Sequence, residues 1–116
     1  LANNPTMWLM NEPLAAVDLQ TRIILQDELL RLWGDGGSAK RSTVLFVTHG
    51  IDEAVLLADR VVVMARRPGR IKAIVDVNLP RPRAAQRSSP ALAELVGRVW
   101  DLIRDEAVRA IAEETN

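Results

Sequence analysis

Two short apolar runs, each of strand length and each ending in a polar group, constrain this chain more than anything else in it. The first reads Met7-Trp8-Leu9-Met10-Asn11-Glu12-Pro13. The second reads Val44-Leu45-Phe46-Val47-Thr48-His49 and ends in the only histidine. In open α/β sheets, ligands bind at the edge formed by the C-terminal ends of the strands. Two strands that deliver a carboxylate and an imidazole to that edge make a candidate catalytic site, with Glu12 as base and His49 as its neighbour.

The segments between and after these runs alternate in the same way. After a turn around Pro13, a helix is expected from about Leu19 to Trp33, with Asp18 as its N-cap. Leu25, Leu29, Leu32 and Trp33 form its apolar stripe, and the Gly34-Asp35-Gly36-Gly37 cluster stops it. Thr43 to Thr48 is β-branched and almost continuously apolar, as in a strand covered on both faces. A short helix over about Asp52–Ala58 and a third strand, Val61–Met64, follow. Arg67-Pro68-Gly69-Arg70 is a turn signal that opens a hairpin into Ile71–Val77. Residues 79 to 89, rich in Pro and Arg, read as an extended, mobile linker. Ser89-Pro90 then opens a long helix with Ser89 capping and Pro90 in the first turn. Leu92, Leu95, Val96, Val99, Leu102 and Ile103 give that helix one buried face. The order β-α-β-α-β-β-linker-α indicates an α/β fold with a parallel sheet core.

Composition narrows the partners. Fifteen basic residues balance fifteen acidic ones, so no global field draws the chain to nucleic acid or anionic lipid. The absence of cysteine excludes a disulfide framework and a thiolate metal site. No apolar run approaches the roughly 20 residues of a membrane span. At 116 residues the chain makes one domain or less, and Leu1-Ala2-Asn3-Asn4-Pro5 lacks an initiator Met and a charged leader. The expectation is a piece of something longer.

The residues also match a family. MWLMNEP, LAAVD and VLFVTH closely resemble, in that order, the Walker B strand, the D-loop and the switch histidine of an ATP-binding-cassette (ABC) ATPase. ADRVVVM, RRPGRI, LPRPR and SSP resemble the nitrate, sulfonate and taurine branch of bacterial import ATPases, and the likeness covers essentially the whole chain. It implies the C-terminal part of a P-loop NTPase-type parallel sheet over residues 1–78, a Pro/Arg-rich linker over 79–89 and a C-terminal amphipathic helix over 90–116. By the same resemblance Glu12 polarises the attacking water and His49 contacts the γ-phosphate. Asp18 lies in the D-loop that meets a second subunit across the nucleotide. The implied cofactors are ATP and Mg²⁺. The implied partners are a second ATPase subunit, transmembrane permeases and, indirectly, a periplasmic solute-binding protein, at the cytoplasmic face of a bacterial membrane.

Three departures qualify the resemblance. Asn11 stands where the family normally has an aspartate that supports Mg²⁺ through its water shell. Asparagine keeps an oxygen acceptor but loses the charge that a hard dication prefers. Gly50 stands where this branch usually has aspartate, and it can still open a helix. No G-x-x-x-x-G-K-[ST] phosphate loop occurs, nor a signature motif, so the chain alone is expected to bind ATP poorly.

Blander roles account for the remaining candidates. Asp18 also serves as a plain N-cap, and Trp8 and Trp33 are expected in the core rather than stacked on a nucleotide. Arg66, Arg67, Arg70, Arg81, Arg83 and Arg87 have no interleaved aromatics to stack bases, which favours a solvated surface or a protein contact. Asp101, Asp105, Glu106, Glu113 and Glu114 would be repelled by anionic lipid, so the last helix packs rather than binds membrane. Two functions follow. One is part of the ATP-hydrolysing subunit of an importer. The other is a degenerate, non-catalytic interaction module in which Asn11 records lost catalysis. Exposed strand edges further predict that the isolated chain self-associates.

Overall fold

A computed structural model describes residues 7–35, 43–65 and 69–115. Along the chain these form β1 (Met7–Asn11), α1 (Leu19–Leu30) with a π-helical turn (Arg31–Asp35), β2 (Thr43–Val47), α2 (Ile51–Leu57) and β3 (Arg60–Met64). Then come β4 (Ile71–Asp76), a 3-10 turn (Arg83–Gln86) and α3 (Pro90–Thr115). Of the turn expected at 67–70, residues 67 and 68 lie outside the described residues, as do Gly36 and Gly37 of the helix-stopping cluster.

The fold is mixed α/β. β1 and β2 are parallel, in register from Met7 opposite Thr43 to Asn11 opposite Val47. β3 and β4 are antiparallel, with Val61 opposite Val75 and an irregularity at Val63/Met64. The expected parallel core is thus confined to β1–β2, because the hairpin forms a separate two-stranded sheet. The alternation in β3 explains why. Val61 and Val63 are buried while Arg60, Val62 and Met64 are exposed, the pattern of a sheet with one wet face.

The core lies among α1, α2, the hairpin and α3. Leu30, Val55, Leu56, Leu57, Val61, Val63, Val75, Val77, Leu79, Leu92 and Val99 form one contiguous cluster. Trp33 packs against it and meets Phe46 edge-on, with ring centroids 6.1 Å apart. β1 departs from expectation. Trp8 is 55% exposed rather than in the core, and Met7 and Leu9 are each 68% exposed. Among the described residues β1 pairs only with β2, so its outer edge and much of its surface face solvent.

α1 is turned relative to its predicted stripe. Leu30 is its deepest apolar residue and Gln26 is also buried, whereas Leu32 is exposed. The inward row therefore runs Arg22, Gln26, Leu30, Trp33, with two polar members that a hydrophobic pattern does not reveal.

The segment expected as a mobile linker is anchored at Leu79 and Arg83, which are buried while most of its other residues are exposed or half-buried. Arg83 is 2% exposed. Its guanidinium donates to the carbonyls of Val55 (3.5 Å), Leu56 (3.1 Å) and Ala58 (2.8 Å) at the end of α2, and to those of Val77 (3.3 Å) and Leu79 (3.2 Å). Carbonyls at a helix end lack partners within the helix, and here one arginine fork answers them. Arg81 pairs with Asp59 at 3.0 Å and Arg87 with Asp27 at 2.6 Å, so these cations serve internal contacts. Arg66 and Arg67 lie outside the described residues.

α3 starts as expected, with Leu92 N–H donating to Ser89 Oγ at 3.1 Å. Leu92 and Val99 are buried, but Ile103 is 37% exposed rather than packed. Trp100 is exposed beside buried Val99, and Val108 and Ile111 are exposed because past Leu102 the helix runs beyond most of the core. No helix among the described residues is long and apolar enough to cross a membrane.

Candidate functional site

Parallel pairing brings the two polar groups together. Because β1 and β2 run the same way, their C-terminal ends share an edge. The ladder continues one step past β1, where Glu12 N–H donates to Val47 C=O at 2.6 Å. Glu12 then leaves the strand with φ of 50°, in the left-handed region that a non-glycine residue enters at a cost of about 1 kcal/mol or more. Ala15 N–H closes the turn onto Glu12 C=O at 3.2 Å.

The bent backbone aims the Glu12 carboxylate across to the loop after β2. Oε1 accepts from the backbone N–H of His49 at 3.1 Å, and Oε2 lies 3.0 Å from His49 Nδ1. An ionised carboxylate only accepts, so Nδ1 carries the proton in this contact and Nε2 is turned away from it. The hydrogen bond from the His49 ring, then that from its backbone N–H, hold the Glu12 carboxyl below its ordinary value. Partial desolvation opposes them, and the charges of His49 and Arg22 assist. The His49 side chain is 90% exposed and that of Glu12 33%, so the imidazole stands in solvent on a carboxylate base. A groove of about 510 Å³ opens beside it, walled by Leu19 and Ile23 of α1, Ile51 of α2 and Leu92 and Trp100 of α3.

A further layer of polar contacts lies behind the pair. Thr48 Oγ1 donates to Glu53 Oε2 at 3.2 Å and accepts from Gly50 N–H at 2.9 Å. Gly50 is the N-cap of α2 and has no capping side chain, so the Thr48 hydroxyl binds its amide instead. Glu53, 8% exposed, also accepts from Gln26 Nε2 at 2.8 Å and lies 3.9 Å from Arg22 Nε. Arg22 donates twice to Leu14 C=O, at 3.2 and 2.6 Å. Arg87 donates to Gln26 Oε1 at 3.0 Å and ties this cluster to the segment before α3. Sequence reasoning did not single out Arg22, Gln26, Thr48 or Glu53. The available signal was Glu53, a charged residue in a short helix otherwise occupied mostly by Ile51, Ala54, Val55, Leu56 and Leu57.

Of the other candidates, Asn11 ends β1 and is exposed beside the pair in sequence. Asp18 is the N-cap of α1, accepting from Thr21 N–H at 3.5 Å, and the Thr21 side chain first, then its backbone N–H, draw the Asp18 carboxyl below its ordinary value. It bonds to the start of its own helix, away from the contact between Glu12 and His49. Among the described residues no group of three or more His, Cys, Asp or Glu could hold a metal ion.

No family model matches the chain. Curated relatives do. An uncharacterised ABC transporter ATP-binding protein of Methanocaldococcus jannaschii is 49% identical over 96% of this chain and 39% of its own length. The aliphatic sulfonates import ATP-binding protein SsuB 1 of Xanthomonas axonopodis is 49% identical over 81% of the chain and 36% of its own length. The aliphatic sulfonates import ATP-binding protein SsuB of Bacillus cereus is 42% identical over 77% of the chain and 34% of its own length. The chain thus spans between 34% and 39% of the length of these relatives.

Proposed function

This chain belongs to the family of ABC transporter ATP-binding proteins, and from that membership we propose that it carries the water-activating and switch edge of a transport-coupled ATPase. The observation that supports the reading is the two-point contact between Glu12 and His49 at the common end of two parallel strands.

In this reading ATP is the substrate, and water attacks its terminal phosphate. Glu12 orients that water and accepts its proton, which requires its oxygens to be shared between His49 and the water. His49, held through Nδ1, presents Nε2 to the phosphate. Charge is spread over the phosphoryl oxygens in such a transfer, so positioning and electrostatics carry the catalysis. Asp18 meets a second subunit at the mouth of the D-loop.

The donor set does not fit a complete Mg²⁺ site. Asn11 offers one neutral oxygen at the strand end, suited to contact through water rather than direct ligation. The chain's sequence holds no phosphate loop either, so the isolated chain is inactive in this reading and the whole protein supplies the cradle. The solute is a sulfonate, nitrate, taurine or related small solute, delivered by a periplasmic binding protein to permeases that a dimer of ATPase subunits drives from the cytoplasmic face.

The test is steady-state ATP hydrolysis by the whole protein that bears this segment. Glu12→Gln lowers kcat by about a hundredfold or more, and His49→Ala abolishes turnover while nucleotide still binds. Asn11→Asp strengthens the Mg²⁺ dependence. Wild-type turnover that survives Glu12→Gln overturns the reading. So does inactivity of both the wild type and the Asn11→Asp variant with Mg·ATP bound.

A further inference from the structure

We propose that Arg22 and Glu53 are positioning residues that set the Glu12–His49 contact, each bracing one of the two loops that carry the pair. The proposal rests on the reading of that pair as the hydrolytic edge.

His49 has little packing of its own. Its side chain is 90% exposed, so its direction comes from the backbone around it and from Glu12. Both flanking residues are held from beneath. As a carboxylate, Glu53 accepts only, which fixes the Thr48 hydroxyl as donor to Oε2 and leaves its lone pairs to receive Gly50 N–H. Glu53 is in turn fixed by burial and by the Gln26 amide on Oε1. A carboxylate this sheltered is costly to leave unpaired, so the arrangement resists drift.

The other loop is held from α1. Glu12 sits in a left-handed conformation that must be enforced by its surroundings. Arg22 enforces it with two N–H groups on the single carbonyl of Leu14, two residues past Glu12. The same guanidinium lies 3.9 Å from Glu53. One charge pair at the α1–α2 contact therefore spans both loops, and the distance between the carboxylate and the imidazole is set by how those helices sit together.

The test follows the Glu12 carboxyl by ¹³C NMR titration in the full chain, beside the ring signals of the sole histidine. Thr48→Val keeps the side-chain volume and removes the hydroxyl, and with it both the donor to Glu53 and the acceptor for Gly50 N–H. It moves the Glu12 titration upward, toward that of an ordinary glutamate. Arg22→Lys keeps the charge but cannot fork onto Leu14, and it moves the titration in the same direction. Glu53→Gln retains an acceptor for Thr48 and moves it less than Thr48→Val does. A Glu12 titration unchanged in both Thr48→Val and Arg22→Lys overturns the proposal. A titration that moves in Arg22→Gln but not in Arg22→Lys also overturns it, by reducing Arg22 to a nearby charge. In the whole protein Thr48→Val lowers kcat roughly tenfold with KM for ATP unchanged, the usual size of an outer-contact effect. If the titration moves as stated while neither the wild type nor Asn11→Asp hydrolyses bound Mg·ATP, the positioning roles stand and the ATPase reading falls.

Discussion

Glu12 combines a strained backbone with a stabilised charge. Its carboxyl is held below the ordinary value of 4.5 chiefly by the His49 ring and amide. A group whose folded value is depressed adds stability above its unfolded value and loses it as pH falls through the folded one. Thermal melts of the chain should therefore show stability falling as pH drops from about 5 toward about 3. In Glu12→Gln that acid limb should be shallower, and an identical limb in both proteins would show that the contact with His49 contributes nothing to folding. The pair itself was legible in sequence, because two apolar runs of strand length ended in groups of complementary chemistry. Arg22 and Glu53 were not legible. Each is a charged residue that a hydrophobic pattern assigns to solvent, and only the approach of α1 to α2 gives it a partner.

Elements were easier to name than to orient. The strands, the caps at Asp18 and Ser89, and the hairpin sit where local chemistry put them, within a residue or so. The phase of α1 was missed because its inward row mixes Arg22 and Gln26 with Leu30 and Trp33. Within the segment at 79–89, Arg83 departs from expectation for a similar reason. Composition reads Pro and Arg as solvated, yet Arg83 is the piece that closes α2. Replacing it with Met should cost about 2 kcal/mol or more, since the carbonyls it serves are left buried without donors. Urea unfolding measures this, and Arg83→Lys, with one ammonium for several carbonyls, should recover only part. Equal stability of wild type and Arg83→Met would mean that water replaces the guanidinium at no loss.

At the scale of the molecule, the hydrophobic cluster and the candidate edge occupy different places. The cluster joins α2, the hairpin, α3 and the inner row of α1. β1–β2 stands beside it, touching it through Phe46, and leaves Met7, Trp8, Leu9 and Leu45 exposed. A parallel pair with an open edge and apolar faces invites association. Light scattering of the isolated chain at moderate concentration should report an oligomer, and Trp8→Lys or Leu9→Lys should shift it toward monomer. A wild-type monomer would show that these side chains are tolerated singly.

That separation also sets a hierarchy of cooperative units. The residues that supply global stability hardly overlap with those that hold Glu12 against His49, and local opening draws on the least protected region first. The contact between Glu12 and His49 thus takes its order from the polar bonds between α1 and α2, and a polar substitution there can loosen it while the apolar cluster stays intact.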